Sequence, residues 1–147
     1  MMVFRITTEE WCTSLQASGN AARWNARGRF VIYAAGSRSL ACLENLVHRS
    51  GVWQGKTYKV MVIEFSDNIK IETIEIEDLK KNWERIDNFS YCRTQAGKWL
   101  NSGIAAILKV PSVIIKKEFN YLINPQHPDF KFIKLKGVED FDFDQRF

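Results

Sequence analysis

The chain has 147 residues, of which 46% are hydrophobic and 26% are charged, with ten Phe, five Trp and four Tyr. This composition is typical of one folded domain with a sizeable core, and it excludes an intrinsically disordered chain. The net charge of +4, from 21 basic and 17 acidic residues, favours an anionic partner such as nucleic acid, a phosphorylated ligand or an acidic protein surface.

The pattern of apolar residues predicts an α+β domain, because strands outnumber helices and do not alternate regularly with them. In chain order the predicted elements are a strand over 2–7, a helix over 7–19, a strand over 29–35, a helix over 38–50, strands over 57–65 and 69–76, helices over 79–86 and 94–103, a strand over 105–115, turns over 119–130 and a strand over 131–136. A mixed sheet is therefore favoured over a doubly wound parallel sheet.

Several of these bounds depend on individual residues. Thr7 and Glu10 have capping-box spacing at the start of the first helix, and Ser37 can cap the second. Residues 57–65 are apolar on both alternations, as a strand buried on two faces would be. Pro111 interrupts the strand over 105–115, which predicts a bend or a sheet edge there.

The cysteines Cys12, Cys42 and Cys92 form no CxxC pair and no Cys/His cluster, which argues against a disulfide framework or a zinc site. No apolar run approaches the roughly 18 residues that a membrane-spanning helix needs. Charged residues also stand where a signal peptide would need an apolar run. We therefore expect a cytoplasmic protein with no membrane association and no metal.

Five of the nine arginines lie within residues 21–49, where Glu44 is the only acid. On a helix that advances 100° per residue, Glu44 falls within the arc of Leu40, Leu43 and Val47, so its carboxylate points toward the core. A carboxylate in that position is costly unless it is paired or functional. Two interpretations stay open: a catalytic group, or one half of an ion pair with an arginine that only holds the fold.

Arg23 lies in a polar stretch before a strand, next to Trp24 and Asn25. A guanidinium suits bidentate recognition of phosphate better than an ammonium does. The same charge beside aromatic residues could bind RNA, or form a solvated basic face. Tyr33 ends the strand before small residues, where it could stack on a planar ligand ring or simply belong to the core.

Ser112 follows Pro111 and could donate a hydrogen bond to a ligand, although a serine that caps a turn is the commoner case. No GxSxG sequence surrounds it, so a hydrolase nucleophile is not expected. His48 and His127 lack companions with metal-ligand spacing, and no role is assigned to them. The sequence contains no Walker loop, no GxGxxG and no HExxH.

Taken together, these segments resemble the RES-domain toxins of bacterial RES/Xre-type toxin–antitoxin systems. The matching segments occur in the family's order along most of the chain. They are RWN with Arg23, VIYAAGS with Tyr33, LACLENLVH with Glu44, VPSVI with Ser112 and FNYLINPQHP with Asn120.

The resemblance implies a single RES-like domain over residues 1–147, with a mixed, bent central sheet flanked by short helices, similar to the ADP-ribosyltransferase fold. It implies a toxin that arrests growth by breaking the nicotinamide–ribose bond of NAD⁺, as a glycohydrolase or a phosphorylase. NAD⁺ would be the substrate, with no further cofactor. The alternatives are an ADP-ribosyltransferase that modifies a protein and, from another class, a basic RNA-binding or RNase-type protein.

The resemblance also implies roles for individual residues. Glu44 and Arg23 would be catalytic: the carboxylate would stabilise the cationic ribose, and the guanidinium would neutralise the pyrophosphate. The residues implied to bind substrate are Tyr33, Ser112, Trp24, Asn25 and Asn120. The sequence does not indicate whether water, phosphate or a protein side chain accepts the ADP-ribose.

The resemblance implies a helix-turn-helix antitoxin of the Xre type as the partner. The toxin would contact DNA only through this antitoxin, and a homodimer is also considered.

The acidic, Phe-rich tail over 138–147 has its own hypothesis. It would pack on the basic body through Phe141, Phe143 and Phe147, or else serve an intermolecular contact.

Overall fold

The computed structural model describes residues 1–48 and 55–147, and these contain seven strands and two α-helices. The strands are β1 (Met2–Thr8), β2 (Ile32–Ala35), β3 (Tyr58–Phe65), β4 (Ile71–Thr73), β5 (Ile107–Pro111), β6 (Phe119–Ile123) and β7 (Ile133–Phe141). The helices are α1 (Arg38–Val47) and α2 (Phe89–Ser102). Short 3-10 turns lie at Glu9–Trp11, Ile76–Asp78, Ile86–Asn88 and Pro128–Phe132.

The strands form one sheet in the order β4-β5-β6-β2-β1-β3-β7. Neighbouring strands are antiparallel except β4 and β5, which are parallel. The sheet is therefore mixed, and the predicted α+β class is confirmed. β1 pairs with β3 at seven positions but with β2 only at Phe4–Ala35. The sheet therefore opens between β1 and β2, near its middle.

Both helices cover the same face of the sheet, one on each side of this opening. The apolar cluster under α1 includes residues of β1 and β3 together with Ala35 of β2. The cluster under α2 includes residues of β5 and β6, with Tyr33 of β2 packed against it. Because residues two apart on a strand share a face, the two clusters lie on one face. Ile32 belongs to a third cluster, on the opposite face.

The start of α1 and the end of α2 follow from local sequence. The hydroxyl oxygen of Ser37 accepts a hydrogen bond from the backbone amide of Leu40 (3.1 Å), as the predicted cap requires. α1 ends at Val47, and the last two residues of the helix predicted over 38–50 lie outside the described residues. α2 begins before the predicted residue 94 and is closed by Gly103, whose φ of 64° favours glycine.

The remaining strand predictions are confirmed with shifted ends. Strands predicted over 2–7 and 57–65 match β1 and β3 to within one residue, and β3 is largely buried. Those over 29–35 and 69–76 shorten to β2 and β4. The strand over 105–115 is confined to β5 and ends at Pro111, whereas the last strand extends beyond residue 136 to become β7.

The helix predicted over 7–19 is wrong, and the 3-10 turn Glu9–Trp11 stands in its place. Thr7 and Thr8 pair with β3 as the end of β1, so strand pairing overrides the local capping signal. Beyond the turn, the guanidinium of Arg5 donates to the backbone carbonyl of Gln16 (3.0 Å). The carbonyl of Gln16 therefore accepts from a side chain and not from a helical backbone amide, and the segment around it is irregular.

Two further predictions are wrong. Residues 79–86 form turns instead of a helix, because Asn82 adopts a left-handed conformation (φ 62°) that interrupts helical geometry. Trp83 is nevertheless buried and packs against Trp24, with 5.7 Å between ring centroids and the rings tilted by 38°. Residues 119–123, predicted as part of a turn, form β6, which lies between β5 and β2. The apolar half of β6 is buried, as is usual for a strand in the interior of a sheet.

The acidic tail is partly built into the fold. Residues 138–141 pair with β3 as the second half of β7. The rings of Phe141 and Phe143 meet edge to face, with centroids 4.8 Å apart, and Phe143 meets Tyr58 in the same way at 5.3 Å. Phe143 is 9% exposed, whereas Phe147 is 58% exposed. Packing on the body is therefore confirmed for Phe141 and Phe143 and is wrong for Phe147.

Truncation after Gly137 is expected to lower the free energy of unfolding substantially. It removes half of β7 and the buried ring of Phe143, and loss of a core Phe side chain alone costs about 3–5 kcal/mol. Urea denaturation of the two proteins measures the difference. Removal of residues 145–147, which are exposed, is the control and should change the stability little. Equal stability of the longer truncation and the full chain would contradict the prediction.

Candidate active site

An open cavity of about 380 Å³ lies between the two helices, where β1 and β2 separate. Its walls come from both helices, from β1, β2 and β6, and from the segments before β2 and after β5. Five of the seven residues proposed from sequence line it: Arg23, Trp24, Tyr33, Glu44 and Asn120. The other two, Asn25 and Ser112, are buried and bonded to the lining residues.

Two side chains orient the carboxylate of Glu44, which projects from α1. Its Oε1 accepts hydrogen bonds from Nδ2 of Asn120 (2.7 Å) and from Oγ of Ser112 (3.1 Å). Its Oε2 lies 3.8 Å from Nε2 of His48, one helical turn further along. The side chain of Glu44 is 24% exposed. One carboxylate oxygen is therefore fixed, while the group as a whole remains accessible from the cavity.

These contacts bear on the two interpretations of Glu44. Within the described residues, no arginine forms a salt bridge with it, and both short hydrogen bonds come from neutral groups. Neutral donors orient a carboxylate without cancelling its charge, so that charge stays available to a cationic group. Among the described residues, these contacts argue against a structural ion pair between Glu44 and an arginine.

Ser112 is fully buried, and its contacts are to Glu44 and to its own turn. Its hydroxyl donates to Glu44 and accepts from the backbone amides of Ile114 (3.0 Å) and Ile115 (3.2 Å). The chain turns at this point because β5 ends at Pro111. Ser112 therefore links the orientation of the carboxylate to the turn that lines the cavity.

Substitution of Ser112 with alanine is expected to lower the free energy of unfolding by about 1–3 kcal/mol, because two backbone amides lose their acceptor in a partly buried turn. Differential scanning fluorimetry or urea denaturation measures this. Ser66→Ala is a matched control, because its hydroxyl also accepts from a backbone amide, that of Asn68, but in an exposed turn. Equal losses of stability in the two variants would contradict the prediction, because burial of Ser112 would then add nothing to the cost.

Arg23 is held at the cavity by Phe89, the first residue of α2. Its guanidinium carbon lies 4.4 Å from the centroid of the Phe89 ring, and Nη1 donates to the backbone carbonyl of Trp83 (3.4 Å). Among the residues that the structure describes, no carboxylate forms an ion pair with Arg23. Its positive charge is therefore uncompensated in the protein and available to an anionic ligand.

Tyr33, Trp24 and Asn25 form one hydrogen-bonded unit. The hydroxyl of Tyr33 donates to Oδ1 of Asn25 (2.5 Å) and accepts from the backbone amide of Trp24 (3.2 Å). The amide nitrogen of Asn25 donates to the backbone carbonyls of Asn20 and Arg29, both at 2.9 Å. Burial raises the pKa of Tyr33, so its hydroxyl stays protonated and keeps donating. Asn25 thereby holds the loop before β2 in place.

Arg5, His48 and Phe89 are among the cavity residues that were not proposed from the sequence. Arg5 is the one charged residue in the apolar strand MVFRIT, which was a usable signal, and burial lowers its pKa. His48 stands four residues after Glu44, so helical spacing could have placed the two side chains together. Phe89 carried no local signal, because its contact with Arg23 joins distant parts of the chain.

The described ranges 1–48 and 55–147 offer neither a metal site nor a membrane-spanning helix. No group of three or more His, Cys, Asp and Glu residues there could hold a metal ion. No helix in the same ranges is long and apolar enough to cross a membrane. His127 lies away from Glu44 and uses both ring nitrogens locally: Nε2 contacts the carbonyl of Gly103 (2.8 Å), and Nδ1 accepts from the amide of Asp129 (3.0 Å).

Fold and site together define an α+β protein whose opened mixed sheet carries a cavity of small-molecule size. That cavity presents one oriented carboxylate and one uncompensated guanidinium. The chain belongs to the RES domain family, which matches residues 2–144.

Relatives of the chain include toxins of several bacteria. The Prs ADP-ribosylating toxin of Sphingobium sp. (strain YBL2) is 36% identical over 126 residues, covering 84% of this chain and 78% of that protein. Toxin Res of Yersinia enterocolitica (serotype O:8) is 34% identical over 153 aligned positions, covering 99% of each. The structure resembles a chain in the crystal structure of the M. tuberculosis MbcT–MbcA toxin–antitoxin complex, with a TM-score of 0.76 over 95% of this chain and 83% of that chain. At 15% identity, this likeness shows a shared fold.

Proposed function

We propose that this protein is the toxin of a toxin–antitoxin pair and that it consumes NAD⁺ by breaking the bond between nicotinamide and ribose. The observation that carries the proposal is the carboxylate of Glu44, which two neutral side chains orient at the cavity. Membership of the RES domain family and the names of the relatives support it.

Glu44 would act on the charge that develops during the reaction. Cleavage of the nicotinamide–ribose bond produces an oxocarbenium-like sugar, and a carboxylate stabilises that cation more strongly than it stabilises the bound substrate. Because Ser112 and Asn120 already hold Oε1, the carboxylate needs little reorganisation to do so. Preorganisation of this kind is a major source of catalysis.

The other cavity residues would bind and position the dinucleotide. Arg23 would neutralise part of the pyrophosphate, and the rings of Tyr33 and Trp24 would form an apolar wall for a planar base. Asn25 would contribute through the loop that it holds. NAD⁺ is the substrate in this scheme, and the reaction needs no further cofactor.

Transfer of ADP-ribose to a protein is a second candidate, favoured by the relative named Prs ADP-ribosylating toxin. It shares the first step and differs only in the acceptor. An RNase-type activity has weaker support. RNA cleavage commonly uses two histidines as general acid and base, whereas His127 is occupied by backbone groups and His48 lies beside Glu44.

We further propose a helix-turn-helix antitoxin of the Xre type as the partner, with DNA contacted only through it and with the cytoplasm as the site of action. The resemblance to the fold seen in a toxin–antitoxin complex supports an antitoxin partner. The scheme does not require a homodimer, and analytical ultracentrifugation of the purified toxin tests for one.

The purified protein is to be incubated with NAD⁺ and, separately, with labelled RNA. Release of nicotinamide without RNA cleavage is expected, and the chromatographic identity of the second product distinguishes water from phosphate as acceptor. In cells, induction of the toxin alone should lower NAD⁺ as growth stops, and co-expression of the neighbouring gene should prevent both effects. Growth arrest with unchanged NAD⁺ and no ADP-ribosylated protein would overturn the proposal.

A further inference from the structure

A second guanidinium, that of Arg93, packs near the same ring as that of Arg23. Arg93, one turn into α2, has its guanidinium carbon 5.5 Å from the centroid of the Phe89 ring, and that of Arg23 lies 4.4 Å from the same centroid. The two charges are therefore within about 10 Å of each other, the sum of these distances. Arg23 and Phe89 line the cavity, and the Phe89 ring places the guanidinium of Arg93 next to that lining.

The protein does not compensate these two charges. Across residues 1–48 and 55–147, no carboxylate lies within 4.0 Å of either guanidinium. Nε of Arg93 donates to the backbone carbonyl of Ala22 (2.8 Å), and no described group accepts a hydrogen bond from its two Nη atoms. Nη1 of Arg23 donates to the backbone carbonyl of Trp83 (3.4 Å), and its guanidinium also contacts the thiol of Cys92. The donors still free are therefore both Nη atoms of Arg93 and the remaining N–H groups of Arg23.

Two uncompensated positive charges near one aromatic ring are unfavourable unless a ligand neutralises them. Like charges this close repel each other, and a partly buried site screens them less than bulk water does. An anion with two negative charges would remove the repulsion and would satisfy both guanidinium forks at once.

We propose that Arg93 and Arg23, both held on the ring of Phe89, form one binding site for a pyrophosphate dianion. The inference rests on the proposed function in one respect, which is that the pyrophosphate is that of NAD⁺. Arg93 reaches across to Ala22, the residue before Arg23, and so fixes the loop relative to α2. The spacing of the two forks is therefore set before the ligand arrives, which reduces the entropy lost on binding.

The test uses the full chain and calorimetric titration with ADP-ribose and with inorganic pyrophosphate. Arg93→Gln is expected to weaken both ligands about tenfold or more, since charge-assisted hydrogen bonds are lost, and to flatten the dependence of affinity on salt. Arg93→Lys should recover only part of the affinity, because it restores the charge but not the fork. Arg85→Gln is the matched control, because Arg85 is exposed and already paired with Asp87.

A second readout separates anion binding from a purely structural role. Nicotinamide riboside contains the same scissile bond but no phosphate, so Arg93→Gln should lower its cleavage much less than it lowers the cleavage of NAD⁺. Equal losses toward nicotinamide riboside and NAD⁺, or unchanged affinity for ADP-ribose, would overturn the inference. If inorganic pyrophosphate binds in an Arg93-dependent way but neither nicotinamide compound is cleaved, the anion site stands and the proposed function fails.

Discussion

Glu44→Gln is expected to abolish NAD⁺ cleavage while the melting temperature stays unchanged or rises. A neutral amide cannot stabilise a cationic ribose. The amide oxygen can still accept from Ser112 and Asn120, which are the groups that hold the carboxylate now. Active-site groups commonly reduce stability, and their replacement is often neutral or stabilising. Nicotinamide release and differential scanning calorimetry measure the two effects on the same protein.

The opposite result would follow if Glu44 were half of a structural ion pair. Removal of that charge would then leave a buried cation without a partner and cost about 3–5 kcal/mol, or a melting temperature lower by about 10 °C. Activity would fall only in proportion to the folded fraction. Glu64→Gln is the control: Glu64 forms an exposed pair with Lys136, so its substitution should affect neither stability nor cleavage appreciably.

Arg23→Lys is expected to lower kcat/KM for NAD⁺ by about tenfold to a hundredfold although the positive charge is retained. An ammonium cannot reproduce the planar fork, and its shape also fits the ring of Phe89 less well. Loss of charged hydrogen bonds of this kind costs about 1.5–3 kcal/mol. Steady-state kinetics at two ionic strengths measures the loss and separates it from bulk screening.

Arg27→Lys is the matched control for this substitution. Arg38 is not a suitable control, because it forms a bidentate pair with Glu139 and stacks on Phe4, which lines the cavity. Arg27 is exposed in the same loop as Arg23. Equal losses at Arg23 and Arg27 would show that general basic charge matters instead of a shaped site, and RNA binding would gain support.

The accuracy of the sequence predictions depended on whether local interactions decide the structure. The cap at Ser37 was predictable, because it depends on a residue three positions away. The same kind of signal at Thr7 was misleading, since pairing of β1 with β3 takes up those residues. Asn82 ended a helical pattern by adopting a left-handed conformation, and the apolar residues of β6 stood among turn residues that concealed the strand.

By itself the sequence determined which chemical groups could act and on which local face each would lie. The position of Glu44 on the apolar arc of α1 and the place of Arg23 before β2 follow from local periodicity. Only the tertiary structure decided their partners. Ser112 and Asn120 reach Glu44 across 68 and 76 residues of chain, because the turn after β5 and the register of β6 bring them there. Contacts that depend on strand order and register have no local signature, and the site is made mostly of such contacts.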